Sequence, residues 1–395
     1  MAQDKDQKTL NVPPLRFPGF TDEWTRIKVS DLLDFYSTNS LSWEMLNYEY
    51  GDLHNLHYGL IHSGLPTLID LKRDTLPFVN DTAKPKNYTL CKEGDIAFAD
   101  ASEDTNDVAK AIEFINLEGQ QVISGLHTIH GRDNGNKTVV GFKGYAFASS
   151  SFHNQIRRIA QGTKIYSISS KSFDEVFISI PNKTEQTKIA RLLHLIDERI
   201  ATQNKIIDNL QSLIKGLREQ LLRKWSQDAP KVRLGDICKI TTGKLDANAM
   251  EEDGIFPFFT CAESPYSINS YAFDTEALLI SGNGANVGYI NYYNGKFNAY
   301  QRTYVLDNFT ENIQYVRLYL KSYLPQRISL EKSTSNTPYI VMSTLSDMII
   351  ALPNKAIQDI IYNIINSLET KLRIEVGVSS HLVQTKEYLL SNMFI

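Results

Sequence analysis

Cysteine is scarce in this 395-residue sequence, which contains only Cys91, Cys238 and Cys261. An odd number of cysteines at distant positions provides no paired disulfide framework. None of the three has a second cysteine at the short spacing that structural zinc sites use. Free cysteines fit a reducing compartment, so we expect a cytoplasmic protein.

Long apolar runs, nucleotide-binding loops and an excess of positive charge are also absent. No apolar stretch reaches the length of a membrane span, and the N-terminal MAQDKDQKTL is too polar for a signal peptide. No GxxxxGK[ST] motif indicates ATP chemistry. The formal net charge of −4 argues against a protein that holds nucleic acid by itself. DNA binding would need local basic surface or a basic partner.

The stretch 184–225 contains a regular apolar pattern. Apolar residues recur at alternating steps of four and three, and Gln203 is the one polar interruption. A period of 3.5 predicts a long helix that packs along a narrow seam against a second helix. The predicted seam residues are Ile189, Leu193, Ile196, Ile200, Ile207, Leu210, Ile214, Leu217 and Leu221.

An internal repeat supplies the second helix. Pro181-Asn182-Lys183 recurs as Pro353-Asn354-Lys355, 172 residues later, and a weaker apolar seam recurs with it. Such repeats decide the architecture and are therefore sought first. We predict an antiparallel pairing in which Gln203 faces Ser379, so that polar layers near the middle fix the register. The second set of seam residues is Ile361, Ile365, Leu368, Leu372, Leu382, Leu389 and Met393.

The segments outside the two helices alternate short apolar runs with turn residues, which is typical of mixed, strand-rich modules. We therefore predict an α+β fold with two strand-rich modules, two long helices that form an antiparallel coiled coil, and a pseudo-twofold internal repeat. The predicted boundaries are an N-terminal tail at 1–15, a first module at 16–182, a central helix at 183–226, a second module at 227–353 and a C-terminal helix at 354–395. In the second module, Asn294-Gly295 predicts a turn between two strands.

Several stretches imitate catalytic or ligand-binding motifs. Asn336-Thr337-Pro338-Tyr339 resembles the Asn-Pro-Pro-Tyr loop of DNA amino-methyltransferases but lacks its first proline. The glycines of Gly282–Gly288 are spaced G-x-G-x-x-x-G before a strand, which favours a hairpin over a cofactor loop. The pairs His54-x-x-His57 and His127-x-x-His130 have no flanking cysteine or carboxylate pattern, so we expect hydrogen-bonded or exposed histidines. We predict no catalytic residue and no metal site.

The frame of repeated modules and helices resembles the specificity subunit of type I restriction-modification enzymes. The resemblance is carried by Pro14–Phe20 with Trp24, by the repeated strand-Pro-Asn-Lys-helix junctions and by Leu278–Gly284, and it covers nearly the whole chain. It implies that each module is a target recognition domain that reads one half of a split DNA sequence. It also implies that the coiled coil sets the spacing between the two halves.

The same resemblance implies partners. Two modification subunits, which are methyltransferases, would dock on this chain, and restriction subunits, which translocate and cleave DNA, would join them. S-adenosylmethionine, ATP and Mg would belong to those partner subunits. This chain would bind double-stranded DNA with no cofactor of its own.

Base readout would come from loop side chains that can form paired hydrogen bonds. Leu126-His127-Thr128 and Gln301-Arg302-Thr303 occupy matching places in the two modules. For any one such residue, an ordinary solvated surface position is an alternative interpretation. The candidate DNA-binding residues are Lys84, Lys86, His127, Arg158, Lys164, Tyr166, Lys244, Tyr266, Asn283, Asn286, Tyr300, Gln301, Arg302, Asn336 and Tyr339.

Two other functions are consistent with the sequence. One is a stand-alone DNA methyltransferase, although the broken Asn-Thr-Pro-Tyr motif and the missing cofactor loop weigh against it. The other is a coiled-coil adaptor that joins two proteins without reading DNA. Binding of S-adenosylmethionine by the isolated chain would support the first. A lack of sequence-specific DNA binding in the presence of partner subunits would support the second.

Overall fold

The computed structural model describes residues 10–330 and 339–395, and the chain divides into two compact units. Unit 1 is Met1–Asn204 with Gly377–Ile395, and unit 2 is Lys205–Val376. Both divisions fall inside the long helices, so each unit contains a segment of each long helix.

The strands and helices of unit 1 begin near Thr25 and end in the first long helix. They are β1 (Thr25–Lys28), α1 (Val29–Leu32), β2 (Asp34–Tyr36), β3 (Leu46–Asn47), β4 (Leu53–Leu56), α2 (Tyr58–His62), β5 (Leu68–Asp70), β6 (Phe78–Val79), β7 (Ile96–Ala99), β8 (Ala101–Ser102), β9 (Ala111–Asn116), β10 (Gln121–Ser124), β11 (Thr128–Arg132), α3 (Phe142–Phe147), α4 (Ser150–Ile159), β12 (Tyr166–Ser167), β13 (Phe177–Ile180) and α5 (Lys183–Ser226). Short 3-10 turns connect some of them.

The main sheet of unit 1 has the strand order β2-β11-β7-β9-β5. A smaller sheet has the order β10-β4-β6-β3. Alternate side chains of the main sheet's β7 enter an aromatic core, where the Phe98 ring lies 4.9 Å from Phe147 and 4.8 Å from Phe173, measured between ring centroids. Aromatic pairs at this separation bury large apolar areas, so this cluster anchors α3 and α4 on the sheet.

The N-terminal segment that contains Asn11 and Leu15 packs in unit 1 against the C-terminal end of α9. The Asn11 side chain donates to the Trp24 carbonyl at 2.6 Å, and the Leu15 amide donates to the Asn392 carbonyl at 3.0 Å. The Trp24 ring meets Phe394 edge-on at 6.4 Å, and both rings are buried. The segment from Asn11 to Trp24 and the C-terminal turn of α9 with Phe394 therefore pack together in unit 1.

The elements of unit 2 begin at Lys231. They are β14 (Lys231–Arg233), α6 (Leu234–Ile237), β15 (Lys239–Thr242), β16 (Phe256–Phe259), β17 (Tyr266–Ile268), β18 (Phe273–Ser281), β19 (Ile290–Ala299), β20 (Thr303–Asp307), α7 (Ile313–Leu330), α8 (Met342–Ser346), β21 (Ile349–Ala351) and α9 (Lys355–Asn392). The main sheet has the order β15-β20-β18-β19-β16-β17. Its apolar face packs against α7, whose Tyr315, Val316 and Leu320 are fully buried.

The hairpin interpretation of Gly282–Gly288 is confirmed, because this segment connects the antiparallel strands β18 and β19. The predicted turn at Asn294-Gly295 is wrong, since β19 continues through both residues. Asn294 pairs with Glu276 and Gly295 with Thr275. The long partner strand β18 fixes an extended conformation that outweighs the local preference of Asn-Gly for a turn.

The same junction starts α5 in unit 1 and α9 in unit 2. Antiparallel strands β1 and β13 precede α5, and antiparallel strands β14 and β21 precede α9. The Asn182 side chain accepts a hydrogen bond from the Glu185 amide at 3.0 Å, and Asn354 accepts one from the Ile357 amide at 3.0 Å. Asparagine caps of this kind satisfy amides that lack a partner in the first helical turn.

A buried glutamine completes each junction. Gln186 donates to the Pro181 carbonyl at 2.8 Å and accepts from the Val139 amide at 2.8 Å. In unit 2, Gln358 donates to the Pro353 carbonyl at 2.9 Å and accepts from the Asn312 amide at 3.2 Å. The internal repeat is therefore present in the hydrogen bonds as well as in the sequence.

The two long helices run antiparallel within unit 1. Lys386 of α9 forms an ion pair with Asp197 of α5 at 2.6 Å, and Ser379 donates to Asn204 at 2.9 Å. From the first contact to the second, the residue number increases along α5 and decreases along α9, as expected for antiparallel helices. The predicted register, with Ser379 opposite Gln203, is correct to within one residue.

The segments of α5 and α9 in unit 2 share a hydrophobic core. Ile214 of α5 is buried in the same cluster as Ile361 and Ile365 of α9. Leu221 is only partly buried, whereas Leu222, which was not predicted on the seam, is fully buried. An α-helix has 3.6 residues per turn, so a strict 3.5 pattern drifts around the helix. The predicted α+β fold, with strand-rich modules and paired long helices, is confirmed.

Candidate nucleic-acid interface

Backbone hydrogen bonds connect several loops of unit 2 near the ends of strands β18, β19 and β20. We call them the unit 2 loop cluster, comprising residues 243–245, 260–265, 282–289, 300–302 and 339–340. The Gly282 amide donates to the Arg302 carbonyl at 2.8 Å, and the Gln301 amide donates to the Leu245 carbonyl at 2.9 Å. The Ile340 amide donates to the Gly282 carbonyl at 2.9 Å. The cluster surrounds a cavity of about 250 Å³ lined by Gly282, Gln301, Arg302, Tyr304 and Ile340.

Amide side chains in this cluster are held in defined orientations. Asn286 donates to the Cys261 carbonyl at 3.1 Å, and the Cys261 thiol lies 3.0 Å from the Asn283 side-chain oxygen. These bonds leave each asparagine with further donor or acceptor capacity for a ligand. Cys261 was not among the predicted site residues, and no spacing in the sequence connects it with Asn283.

Cationic and aromatic side chains also belong to the unit 2 loop cluster. Arg302 and Lys244 are exposed and form no ion pair with any residue in 10–330 or 339–395. Tyr339 is 51% exposed, and its backbone forms an isolated antiparallel β-bridge with Asn283. Tyr300 donates its amide to the Phe259 carbonyl at 2.9 Å, and Tyr266 begins β17 directly after the 260–265 loop. The predicted candidates Lys244, Asn283, Asn286, Tyr300, Gln301, Arg302 and Tyr339 therefore lie on loops that hydrogen bonds connect. Tyr266 pairs with Phe258 in the edge strand, and Asn336 lies outside the described residues.

A corresponding group of connections in unit 1 lies around the turn between β10 and β11. We call it the unit 1 loop cluster, comprising residues 58–62, 100–102, 125–127 and 161–168. The Asp100 amide donates to the His127 carbonyl at 3.1 Å, and the Ile168 amide donates to the Asp100 carbonyl at 2.9 Å. The β8–β12 pairing places Tyr166 opposite Ser102, and the exposed Lys164 lies on the loop that leads into β12.

The other candidates of the first module are separate from this cluster. Lys84 forms ion pairs with Asp52 at 2.5 Å and Asp81 at 3.1 Å, and these hydrogen bonds raise its pKa. Two carboxylates compensate its charge, which makes Lys84 a poor phosphate contact. Lys86 is exposed. Arg158 faces the β1–β13 strand pair, where it lines a cavity of about 560 Å³ with Arg26 and Glu175.

The histidines have different environments. The His54 Nδ1 lies 2.9 Å from the Leu76 carbonyl, and the His57 Nδ1 accepts from the Gly59 amide at 3.1 Å. Both are buried, so the prediction of hydrogen-bonded histidines is confirmed for this pair. The prediction is confirmed for His130 as well, because its fully buried ring hydrogen-bonds the Asp95 carboxylate at 2.7 Å. Cys91, Asp95 and His130 offer atoms within 4.8 Å of one another.

The surroundings of Asp95 favour an ion-pair network over a metal site. Its carboxylate accepts from His130 at 2.7 Å and from two guanidinium nitrogens of Arg132 at 2.7 Å. A guanidinium at this position would repel a metal cation. Burial also raises the pKa of the Cys91 thiol far above its ordinary value, which disfavours the thiolate that metals bind.

Comparison with known proteins identifies the family. The family model for the type I restriction modification DNA specificity domain matches residues 21–212 and again residues 227–382, which together make up most of the chain. This chain belongs to that family. The second match also confirms the internal repeat.

Two curated relatives are type I restriction enzyme specificity subunits. The EcoDI specificity subunit of Escherichia coli is 42% identical over 153 residues, which cover 38% of this chain and 34% of the relative. The MjaIX specificity subunit of Methanocaldococcus jannaschii is 22% identical over 274 residues, covering 58% of this chain and 62% of the relative. The chain thus spans about a third of the first relative and under two thirds of the second.

Solved structures share the fold of this specificity-family chain. The type I restriction-modification S subunit of M. genitalium has a TM-score of 0.61 at 18% identity, with 97% of this chain and 99% of that chain covered. A chain from a structural study of type I R-M complex assembly has a TM-score of 0.58 at 17% identity, with 93% and 96% covered. Within residues 10–330 and 339–395, no helix is long and apolar enough to cross a membrane.

Proposed function

We propose that this chain is the DNA-specificity subunit of a type I restriction-modification complex, in which each unit reads one half of a bipartite target. The observation that carries the proposal is the recurrence of one specificity-domain match in both halves of the chain. Each half also forms a loop cluster with exposed side chains that are able to contact bases. Methyl transfer, ATP-driven translocation and cleavage then belong to partner subunits, together with S-adenosylmethionine, ATP and Mg.

Side-chain chemistry supports base readout by the unit 2 loop cluster. A guanidinium forms paired hydrogen bonds with guanine, and asparagine or glutamine does so with adenine. Arg302 and Gln301 supply these groups at one cavity, and Asn283 and Asn286 supply them on the neighbouring 282–289 loop. Lys244 supplies a cation for the phosphate backbone. The net charge of −4 fits a subunit whose partners provide much of the phosphate contact.

An exposed apolar face of α9 in unit 2 supports the docking of a modification subunit. Ile360, Ile364 and Ile374 are 55%, 39% and 61% exposed. Positions four and fourteen residues after Ile360 lie on the same side of a helix, away from the buried Ile361 and Ile365. Isoleucines in this arrangement are typical of a helix that packs against a partner chain. We propose that two modification subunits and restriction subunits assemble on this chain.

The test maps methylated bases in cells that carry the modification partner, with and without this gene. A bipartite methylated motif that requires the gene is the expected result. Exchange of residues 16–182 with those of a related chain should change one half of the motif, and exchange of residues 227–353 should change the other. Unchanged methylation, with assembly verified by co-purification, would contradict the proposal.

A further inference from the structure

His127 has an unusual backbone conformation at an exposed position. Its φ is +53°, in the left-handed region that non-glycine residues rarely adopt. Two contacts hold it there, since its carbonyl accepts from the Asp100 amide at 3.1 Å and the Thr128 hydroxyl donates to the Gly125 carbonyl at 2.6 Å. Unfavourable conformations of this kind occur preferentially at functional sites, where they present a side chain in a required direction.

Two neighbouring side chains orient the His127 ring. Its Nδ1 lies 3.2 Å from Asp100 Oδ1, and its ring meets Tyr58 edge-on at 5.2 Å between centroids. The side chain is nevertheless 51% exposed. Its Nε2 forms no hydrogen bond with any residue of the described ranges, so this nitrogen is available to a ligand.

The carboxylate of Asp100 determines which nitrogen carries the proton. An ionised carboxylate can only accept, so the neutral His127 ring must place its proton on Nδ1 and keep a lone pair on Nε2. Burial raises the pKa of Asp100, and the interactions with His127 oppose that rise. The other titratable neighbours are His57, whose pKa is lowered by burial and by His127, and His62, which lies against Tyr58 and whose Nε2 is 2.9 Å from the Ala101 carbonyl.

We propose that His127 is a specificity-determining residue of unit 1, whose Nε2 accepts a hydrogen bond from the exocyclic amine of adenine or cytosine. In the major groove these two bases present an amino donor, whereas guanine and thymine present acceptors that would face the Nε2 lone pair. Asp100 is the positioning residue, because it selects the tautomer. The inference rests on the proposed function and specifies the base class that this position reads.

The test removes the amine from the DNA and the imidazole from the protein in a double-mutant cycle. The affinity of the chain, assembled with its modification subunits, is measured for unmethylated DNA duplexes that contain the bipartite target sequence. At each A or C of the half read by unit 1, the base is replaced by purine or 2-pyrimidinone, which lack the exocyclic amine. Binding is measured without S-adenosylmethionine, so that methyl transfer does not enter.

The wild-type complex should lose about tenfold in affinity at one of these positions, the usual effect of one lost hydrogen bond in a recognition site. In His127→Gly, removal of the same amine should have no further effect. Glycine adopts a φ of +53° without strain, so this variant keeps the backbone. In Asp100→Ala, removal of the amine should reduce the affinity by less than in the wild type. In Arg302→Ala, which changes the other unit, removal of the amine should reduce the affinity by the same factor as in the wild type.

An equal effect of amine removal in the wild type and in His127→Gly, at every position, would overturn the inference. A thermal unfolding curve of His127→Gly that matches the wild type establishes that the variant is folded. If no bipartite motif is found for the wild type, the proposed function itself fails, which separates the two outcomes.

Discussion

The Arg16 guanidinium donates two hydrogen bonds to the Glu185 carboxylate, at 2.6 and 2.8 Å. Glu185 lies in the first turn of α5 and its side chain is fully buried, whereas Arg16 is 12% exposed. A buried carboxylate without its partner is strongly destabilising. The ion pair therefore ties the N-terminal segment to the start of the long helix.

Removal of this partner should destabilise unit 1. We expect Arg16→Ala to lower the free energy of unfolding by about 3–5 kcal/mol, because the Glu185 carboxylate would stay buried and unpaired. Urea unfolding monitored by circular dichroism checks this. Arg199→Ala, which changes an exposed arginine on the same helix, is the control and should change stability by less than about 0.5 kcal/mol. An equally small effect of Arg16→Ala would show that the pair is unimportant.

The two junction glutamines should contribute equally. Gln186→Ala and Gln358→Ala each remove three hydrogen bonds, to a proline carbonyl, to a backbone amide and to an oxygen of Lys137 or Glu311 in the preceding module. We expect each to cost about 3 kcal/mol of unfolding free energy, at about 1 kcal/mol for each bond. Asn363→Ala, at an exposed position of α9, is the matched control. A clear effect in only one of the two units would mean that the repeated bonds are not equivalent.

Arg302 should affect one half of the DNA target. Arg302→Ala is expected to cost about 1–3 kcal/mol of binding free energy, and to relax the base preference at one position only. Lys84→Ala should change neither the binding free energy nor the base preference, because Asp52 and Asp81 already compensate the Lys84 charge. Methylation of a randomised duplex library by the assembled complex measures both variants. Relaxed preference in both half-sites would contradict a local role.

The exposed face of α9 in unit 2 should be required for assembly. Ile364→Glu places a charge where we expect a modification subunit to pack, and should weaken co-purification of that subunit at least tenfold. Asn366→Glu adds the same charge two residues further along α9, on nearly the opposite side of the helix from Ile364, and should assemble normally. The melting temperature of the isolated chain should be unchanged in both variants, since neither side chain lies in the core.

The Asp95 network should make unit 1 sensitive to acid. Burial alone would raise the pKa of Asp95, but hydrogen bonds from Arg132, His130 and the Lys92 amide hold it below its ordinary value of 3.8. A depressed pKa in the folded state stabilises the fold above pH 3.8, and this contribution is lost as the pH falls through the folded pKa.

Asp95→Asn should therefore destabilise the chain by about 2–4 kcal/mol at pH 7, and by less at pH 3. Urea unfolding at the two pH values tests this difference. Asp174→Asn, an exposed control in the same unit, should show no such dependence. A pH-independent effect of Asp95→Asn would mean that the carboxylate charge does not contribute.

The long helices could be predicted because their pattern is local and repeated. The seam around Leu193 and Ile214 follows from spacing alone, and the Pro-Asn-Lys junctions mark both starts. The error at Asn294-Gly295 has the opposite origin, since pairing with the distant β18 determines that conformation. Contacts between remote segments cannot be read from local pattern.

The candidate site was predictable only in part, for the same reason. His127 and Arg302 were predicted as candidates because they occupy matching places in the two modules. Asp100 was missed, although it orients the His127 ring, because nothing in the sequence connects residues 27 positions apart. The network of Asp95 with His130 was missed because its members come from different strands.

The junction glutamines have a consequence for how such chains diversify. Gln186 hydrogen-bonds the backbone of Val139 and Lys137 in the preceding module, and Gln358 accepts from the backbone of Asn312 and also donates to the Glu311 carboxylate. Backbone atoms are the same for almost every residue type, so a module with an unrelated sequence can present all of these contacts except the one from Glu311. Genetic exchange between related chains can therefore replace what lies before each junction while the helix behind it begins unchanged.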